Sequence, residues 1–229
     1  IGVFHQDFEA QYSATTEYVE RTFARIEKDV EPYWVCLPMA TRTALSSYEM
    51  YWYPWDNTKE DAWVRPMPQH EYVINIKNNP MTTYRYRMHQ EDLAKQFGRW
   101  YRIAHGDKKT VCLLGIRADE SLQRYSGFLK ETCWISNQFK NVWVASPIYD
   151  WSTSDVWHAN YTFQYDYNRL YDLYYMAGLK PDQMRVASPF NDYAKDSLNL
   201  YRVIDPQIWV KLIGRVRGAN FGAIYGRTI

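Results

Sequence analysis

The sequence predicts an α/β fold, a parallel sheet flanked by helices that continues into a mainly helical C-terminal part. Three observations support this fold class. Residues 1–37 have the pattern strand, helix, strand at the spacing of a βαβ unit. Two later apolar runs each lead into a charged segment and then a helical pattern. Because the pattern beyond them is mostly helical, we expect a core domain over residues 1–150 and a helical domain over residues 151–229 packed on that core.

The βαβ unit begins with a strand over residues 1–5, which are apolar until His5. A helix is expected over residues 14–28. Its apolar side chains recur at helical spacing: Tyr18, Val19, Phe23 and Ile26. The run YWVCL at residues 33–37 predicts a second strand before Pro38. Two strands joined by one helix are expected to lie parallel in the same sheet.

Residues 41–83 are different in character, because they are rich in Tyr, Trp, Pro and Asn and show no sustained period. We expect a long excursion from the core that is packed by its own aromatic side chains. Segments of this length are often functional loops or lids. A purely structural insertion is an equally good interpretation of the same pattern.

The middle of the chain predicts a helix over residues 83–104 that Gly106 ends. The run TVCLLGI at residues 110–116 is continuously apolar, which is typical of a central parallel strand covered on both faces. Residues 117–124 are expected to turn out of that strand into a helix. The run VWVASPI at residues 142–148 predicts one more strand.

Helical signals dominate the remainder of the chain. Ser152 or Thr153 is expected to begin a helix with Asp155 in its first turn, where a carboxylate interacts favourably with the helix dipole. Residues 168–177 predict a second helix. Residues 193–218 predict one or two more, interrupted at an Asp-Pro pair.

Composition excludes several classes of protein. Lys and Arg number 27 and Asp and Glu number 26, so the net charge of +1 does not require a nucleic-acid or membrane partner. No run approaches the roughly 18 apolar residues that a membrane span needs. The three cysteines, Cys36, Cys112 and Cys133, are dispersed, which excludes a disulfide framework and favours a reducing, cytoplasmic location.

The first candidate site follows the first strand, where His5, Asp7 and Glu9 come together with Gln6. In open α/β sheets, ligands bind at the carboxyl ends of the strands. These side chains suit a ribose, a substrate amine or a phosphate-bound Mg²⁺. A solvated loop with incidental charges is the alternative interpretation.

The second candidate site is GIRADESLQR, at residues 115–124, which leaves the carboxyl end of the next apolar run. Arg117 and Arg124 provide planar donors for phosphate or sulfate oxygens, and Glu120 and Ser121 lie at the turn. Asp150 follows the third strand and is a candidate either to hold an arginine or to coordinate a metal. The alternative is a cluster of surface salt bridges.

Two weaker signals are basic. The glycine-rich C-terminal segment carries Arg215 and Arg217, which suit phosphate binding less well than they suit a turn between helices. Further cations recur on the predicted helix and suit either nucleic acid or a solvated face: Arg85, Arg87, Lys95, Arg99 and Arg102.

Six segments occur in a fixed order along the chain: HQDFEAQY, LLGIRADES, PIYDWSTSDVW, YNRLYDLYYMAGL, QMRVASPF and RVRGANFGAIY. In this combination the sequence resembles the phosphoadenosine phosphosulfate (PAPS) reductase-like family of the adenine nucleotide alpha-hydrolase (PP-loop) superfamily. The most similar branch is the sulfotransferase or immunoglobulin-binding-regulator type. The resemblance covers nearly the whole chain and is weakest over residues 41–107 and 126–141.

The resemblance implies a five-stranded parallel sheet with a nucleotide site at its carboxyl edge. It also implies a phosphate loop of the type S-G-G-K-D-S just before the first strand, with backbone amides that hold phosphate at a helix N-terminus. Residues 1–229 contain no such motif, so we expect this sequence to begin after that loop. The E-C-G-x-H type motif of PAPS reductases is also absent, so thiol-dependent reduction of a sulfonucleotide is not expected.

Carried over position by position, the resemblance places Asp7 and Glu9 beside the ribose or a metal. The residues expected to bind the nucleotide or its phosphates are His5, Glu9, Arg117, Ser121, Arg124 and Asp150. The residues expected to take part in catalysis are Asp7, Arg117 and Glu120. The implied ligands are ATP or PAPS, with Mg²⁺ as a further candidate.

Two functions are compatible with these observations. The first is a nucleotide-binding enzyme of sulfur metabolism, a transferase that moves an adenylyl or activated sulfur group at the carboxyl edge of the sheet. The second is a non-catalytic scaffold or regulator that binds a protein or nucleic acid through residues 41–83 and the basic helix. Neither implies a membrane, and the oligomeric state stays open.

Overall fold

The computed structural model describes residues 1–45, 49–131, 135–181, 183–191 and 198–219. It has the predicted mixed α/β fold, with parallel strands flanked by helices and a helical C-terminal part. The chain forms two compact units. The first contains Ile1–Pro80, Arg85–Gln90 and Asn168–Ile229, and the second contains Met81–Tyr84 and Glu91–Tyr167. The expected domain boundary at residue 150 stays a prediction.

The βαβ unit is confirmed in the first compact unit. Strand β1 (Gly2–Gln6), helix α1 (Ser13–Ile26) and strand β2 (Glu31–Val35) follow each other, and the two strands pair in parallel register. The helix forms because Val19 and Phe23 share one face, and both are buried with Trp34 of β2 in one apolar cluster. This arrangement places the carboxyl ends of both strands at the same edge of the sheet.

Residues 39–89 contain more regular structure than the sequence predicts. The elements are β3 (Met39–Arg42), β4 (Tyr51–Trp52), a 3₁₀ helix (Asn57–Ala62), β5 (Val73–Ile74) and β6 (Met88–His89). Strand β5 adds to β2 in parallel, whereas β3 pairs antiparallel with β4 and parallel with β6. The strands are too short to give a detectable period, which explains the expectation of an irregular excursion.

The second unit is built from α2 (Gln90–Ala104), β7 (Thr110–Leu113), α3 (Leu122–Glu131), β8 (Ile135–Phe139), β9 (Val142–Ala145) and α4 (Thr153–Phe163). The predicted start of α2 at residue 83 was wrong. Arg87 has a φ of 58°, a left-handed conformation that ends any continuous helix, and β6 follows it.

The expectation of a buried central strand at residues 110–116 was also wrong. Strand β7 lies at one edge of its sheet, in which β9 is central, and Val111 and Leu113 are 52% and 68% exposed. Among the described residues, the strands form three sheets of three rather than the single five-stranded sheet that the resemblance implies. The sheets β1–β2–β5 and β4–β3–β6 lie in the first compact unit, and β7–β9–β8 lies in the second.

The helical part consists of α5 (Leu170–Met176), α6 (Tyr201–Ile204) and α7 (Pro206–Arg215). The predicted interruption is confirmed, because Asp205 caps α7 and Pro206 occupies its first turn. These helices contribute six residues to the main apolar cluster of the first unit: Leu170, Tyr174, Tyr201, Ile208, Trp209 and Leu212. No helix among the described residues is long and apolar enough to cross a bilayer.

Candidate functional site: charged loops at the carboxyl ends of the strands

Asp7 follows β1 directly and is fully buried. Its carboxylate accepts hydrogen bonds from the indole Nε1 of Trp34 at 2.6 Å, from the backbone N of Glu9 at 2.7 Å and from Trp55 Nε1 at 3.2 Å. It also forms a buried ion pair with Arg65. Burial alone would raise the pKa of Asp7, but the Arg65 guanidinium and the hydrogen bonds from Trp34 and Glu9 lower it below its ordinary value. The carboxylate is therefore held ionised by protein groups.

Glu9 is also fully buried, and its carboxylate is engaged on both oxygens. Arg215 donates from Nε to Oε1 at 2.8 Å and from Nη2 to Oε2 at 3.0 Å, which is a bidentate pair. The backbone N atoms of Trp55 and Val64 donate to the same carboxylate at 2.7 and 3.0 Å. Arg65 binds the Glu9 carbonyl at 3.0 Å, so the two ion pairs form one network.

The backbone of this network is unusual at two positions. Glu9 has a φ of 63° and Trp55 has a φ of 55°, both in the left-handed region that non-glycine residues seldom adopt. Such conformations persist where the surrounding contacts over-determine them. Here the Glu9 carboxylate bonds to the Trp55 amide, so each strained residue holds the other in place.

His5 is the last predicted residue of this first site. Its ring contacts Phe23 and Trp34 edge-on, and its buried Nε2 has no hydrogen-bond partner among the residues that the structure describes. Burial lowers the pKa of His5, and the nearby Asp7 opposes that effect only in part. The histidine therefore lies neutral in the aromatic layer between β1 and α1.

A third buried carboxylate, Asp56, was not predicted. It accepts hydrogen bonds from Thr58 N at 3.0 Å, Tyr86 Oη at 2.7 Å and Arg87 Nη2 at 2.5 Å. These hydrogen bonds outweigh burial and lower the pKa of Asp56 to about 2. Arg87 also lies 4.5 Å from the ring centre of Tyr53. The ion pair between Asp56 and Arg87 explains the left-handed backbone of Arg87, because it fixes the guanidinium at the point where the chain turns towards α2.

The second predicted site lies in the other compact unit and is more open. Arg117 donates to the carbonyl of Trp151 at 3.3 Å and to Thr153 Oγ1 at 3.4 Å. Its charge pairs at longer range with Asp119 at 3.6 Å and Glu120 at 3.7 Å. The loop is thereby fastened to the start of α4, while its carboxylates keep solvent contact.

The remaining predicted residues surround this loop. Ser121 Oγ accepts from Arg124 N at 3.2 Å and so caps α3. Arg124 is 49% exposed and pairs with Glu120 at 3.8 Å. Asp150, the predicted support for the arginines, is exposed, and Asp119 instead accepts from Thr153 N at 3.1 Å. The structure thus brings Arg117, Glu120, Ser121 and Arg124 together.

The first amides of α4 are already occupied. Ser152 begins the helix and forms a reciprocal cap with Asp155, with Ser152 Oγ accepting from Asp155 N at 3.2 Å and Asp155 accepting from Ser152 N at 2.7 Å. Hydrogen bonds from Ser152 lower the pKa of Asp155. Asp119 accepts a hydrogen bond from a further amide, that of Thr153. These amides at the start of α4 are therefore bound to side chains of the protein and are not open to a phosphate.

Neither a thiolate nor a metal is supported by the described residues. Burial raises the pKa of both Cys36 and Cys112, which disfavours the nucleophilic thiolate. Cys133 lies outside the described residues. The described part of the chain has no group of three His, Cys, Asp or Glu side chains placed to hold a metal. Asp7 and Glu9 do not fit Mg²⁺, since their oxygens accept from N–H donors and guanidinium groups.

The weaker basic signals have structural explanations. Arg85 and Arg87 precede α2 rather than lying on it, which corrects the predicted stripe. Lys95 pairs with Asp92, and Arg102 pairs with Asp107. Three of the five cations, Arg87, Lys95 and Arg102, are therefore paired with carboxylates, which weakens the case for a nucleic-acid surface. In the C-terminal segment, Gly222 and Gly226 lie outside the described residues.

Comparison with known proteins shows the family of the chain. Residues 2–177 match the phosphoadenosine phosphosulfate reductase domain. The chain belongs to this family. Residues 178–229 match a domain of unknown function, DUF3440.

One curated relative is informative about length. The chain is similar to the uncharacterized protein YbdN of Escherichia coli (strain K12), with 33% identity over 238 residues. That alignment covers 98% of this chain but 56% of the relative, so the chain spans little more than half the length of the relative. No solved structure gives a significant match.

The sequence pointed to the two loops but missed the cations that hold the first of them. Arg65 lies in the segment without a period, and Arg215 was considered only as part of a glycine-rich tail. They are 58 and 206 positions away from the carboxylates that they pair with. The sequence did contain one signal for such partners, because two acids follow β1 and no basic residue lies beside them. Carboxylates that are buried at this position need partners from elsewhere in the chain.

Proposed function

We propose that this chain binds an adenine nucleotide, ATP or PAPS, and that the bound nucleotide serves transfer of an adenylyl or an activated sulfur group. The family match over residues 2–177 carries the proposal. The charged loops that follow β1 and β7 support it, since ligands of α/β proteins bind at the carboxyl ends of parallel strands. The order of the sequence motifs further favours the sulfotransferase or immunoglobulin-binding-regulator branch.

The two loops are given different roles in this proposal. Arg117 and Arg124 bind phosphate or sulfate oxygens, with Glu120 and Ser121 orienting them. Asp7 and Glu9 act indirectly, because their oxygens accept hydrogen bonds from Arg65 and Arg215. Their ion pairs with these arginines fix the backbone of the loop after β1. A direct contact of Asp7, Glu9 or His5 with the nucleotide stays a prediction.

The chemistry of this proposal rests on positioning and charge. In adenylyl transfer, a nucleophile of the acceptor attacks the α-phosphorus, the bond to the bridging oxygen breaks, and pyrophosphate leaves with the electron pair. In sulfuryl transfer, the acceptor attacks sulfur, the bond from sulfur to the bridging oxygen breaks, and the nucleoside bisphosphate leaves with that oxygen and the electron pair. Both transition states place negative charge on oxygens that arginine donors stabilise. The raised pKa values of Cys36 and Cys112 argue against a thiol mechanism through either of them.

Calorimetric titration of the chain with ATP and with PAPS tests the proposal. We expect saturable binding of at least one nucleotide, weakened roughly tenfold or more by Arg117→Ala and by Arg124→Ala, because each removes charge-assisted hydrogen bonds. Arg124→Ala is the cleaner variant, since Arg124 is 49% exposed, whereas Arg117 also binds the carbonyl of Trp151. Arg99→Ala, an exposed arginine of the same compact unit, is the matched control and should leave binding unchanged.

Two results would contradict the proposal. Failure of the wild-type chain to bind either nucleotide would favour the scaffold or regulator function instead. Binding that is equally strong in wild type, Arg117→Ala and Arg124→Ala would remove the assigned phosphate loop. The intact mass of the purified protein should be recorded with the titration, so that the affinity is assigned to a chain of known length.

A further inference from the structure

The last turn of α4, in the second compact unit, presents three aromatic side chains to solvent. Tyr161 is 77% exposed, Phe163 is 65% exposed and Tyr165 is 58% exposed. The rings of Phe163 and Tyr165 lie side by side, with their centres 5.6 Å apart. We term these three side chains the aromatic patch. Large apolar side chains that are exposed together are typical of an interaction surface.

The backbone that carries the aromatic patch is fixed by hydrogen bonds at the end of α4. Gln164 has a φ of 53° and ends the helix in the left-handed conformation. Tyr165 N donates to the Asn160 carbonyl at 3.3 Å, and Asn160 Nδ2 donates to the Tyr165 carbonyl at 3.1 Å. Gln164 Nε2 also donates to the Tyr161 carbonyl. A defined turn therefore holds the three rings in place.

The aromatic patch is large enough to contribute much of an interface. Within α4, all of which the structure describes, no side chain is buried. An aromatic side chain buries about 150–250 Å² when it is covered, so three largely exposed rings offer on the order of 400 Å². One partner of a standard protein–protein interface contributes about 800 Å². The patch therefore supplies about half of such a surface.

The charge around the aromatic patch is acidic. Residues 141–168 contain no Lys or Arg and contain three aspartates, of which Asp166 follows Tyr165 directly. The next cation along the chain, Arg169, pairs with Asp172 at 3.5 Å. No cation lies over the three rings within the part of the chain that the structure describes. The negative end of the α4 dipole points towards the same turn.

This combination suits a cation rather than an anion. Aromatic faces attract guanidinium groups, which stack on rings and also pair with carboxylates. The bases of a nucleic acid can stack on such rings too, but their phosphates need cations that residues 141–168 do not contain. An anionic membrane surface has the same requirement for cations. Charge complementarity therefore favours a basic protein segment.

We infer that the aromatic patch binds an arginine-rich segment of a protein partner. Guanidinium groups stack on Tyr161, Phe163 and Tyr165, and one of them lies beside Asp166. The inference goes beyond the proposed function and does not depend on it, because none of these residues is assigned to nucleotide binding. The surface also lies outside residues 41–83 and the basic helix, which the sequence offered for partner binding. No covalent step is involved.

Fluorescence anisotropy with a labelled peptide of four Arg-Gly-Gly repeats tests the inference. We expect saturable binding that the triple variant Tyr161→Ser, Phe163→Ser and Tyr165→Ser weakens roughly tenfold or more, because three stacking faces are lost. The matching Lys-Gly-Gly peptide should bind more weakly to wild type, since an ammonium does not stack as a guanidinium does. The matched control is Tyr175→Ser, an exposed tyrosine of the first compact unit, which should leave binding unchanged.

The carboxylate is tested separately. Asp166→Asn should weaken binding of the arginine peptide about threefold, and the loss should shrink at high salt, because the pair is a surface ion pair. Asp61→Asn, at an exposed aspartate of the first compact unit, is the control and should have no effect. Equal affinities of wild type and Asp166→Asn would remove Asp166 from the inferred site.

Several results would overturn the inference. One is an arginine peptide that does not bind, or that binds the triple variant as tightly as wild type. A thymidine oligonucleotide that binds through the three rings, while the peptide does not, would indicate a nucleic-acid surface. A wild-type dimer in ultracentrifugation that the triple variant abolishes would indicate a second copy as the occupant. A lower urea midpoint of the triple variant would show that the rings pack within the chain. The titrations with ATP and PAPS would be unaffected in each case.

Discussion

The two charged loops occupy equivalent positions in the chain, each at the carboxyl end of a parallel strand, yet they differ in almost every physical respect. In the loop after β1, Asp7 and Glu9 are fully buried, and Glu9 meets Arg215 at 2.8 and 3.0 Å. In the loop after β7, Arg124 is 49% exposed and its pair with Glu120 is 3.8 Å long.

This difference shows that two loops at equivalent positions in the chain can have different roles. A buried bidentate pair fixes backbone geometry, and its removal leaves an uncompensated charge. A long pair in solvent contributes little to stability and gives way easily to a ligand. The loop after β1 is therefore suited to a frame, and the loop after β7 is suited to direct contact with an anion. Four predictions test the contrast, from the largest expected effect to the smallest.

Arg215→Ala should give the largest loss. It leaves the Glu9 carboxylate buried with only the Trp55 and Val64 amides, so we expect a decrease of about 3–5 kcal/mol in the free energy of unfolding, measured by urea denaturation. Arg217→Ala, an exposed neighbour, is the control. If Arg215→Ala prevents folding, the double variant Glu9→Gln with Arg215→Gln should recover stability, since it removes both charges. A double variant no better than the single one would contradict the buried-pair explanation.

Asp56→Asn should change how the free energy of unfolding depends on pH below about pH 4. The folded pKa of Asp56 is about 2, below its ordinary value of 3.8. The carboxylate therefore contributes stability that is fully present above about pH 4 and is lost as the pH falls towards 2, in total about 2 kcal/mol. Unfolding free energies of wild type should fall more steeply than those of Asp56→Asn between pH 4 and 2.5. Parallel curves would show that Asp56 is not the titrating group.

Ser152→Ala removes the cap of α4, which lies beside the open loop. We expect a loss of about 1 kcal/mol, because the N-terminal amide of Asp155 loses its acceptor. Ser152→Thr should retain most of the stability, since a hydroxyl can still accept. A loss as large as that of Arg215→Ala would mean that the open loop is as tightly built as the buried one.

Arg124→Ala should have the smallest effect on stability, within about 0.5 kcal/mol, because its partner Glu120 is itself partly exposed. The same variant is expected to weaken nucleotide binding. Stability measured by urea denaturation and affinity measured by calorimetry should therefore respond differently. A large stability loss would place Arg124 in the same class as Arg215 and remove the contrast between the loops.

Local features of the fold were open to prediction because near neighbours along the chain decide them. The βαβ unit follows from the apolar period of residues 1–37, and the cap of α4 follows from Ser152 and Asp155, three positions apart. The break before α7 follows from the Asp-Pro pair, whose side chain and ring act within one turn. The two charged loops were recognised because they come directly after apolar runs.

Only the tertiary structure decided which charges are buried and which are exposed. Glu9 and Arg215 are 206 positions apart, and Asp56 and Arg87 are 31 apart, so no local signal joins them. The same limit explains β7, whose apolar run could not reveal that it forms an edge of its sheet. Hydrogen bonds within a turn depend on the adjacent sequence, whereas the partner of a buried charge and the covering of a strand depend on which distant segments pack there.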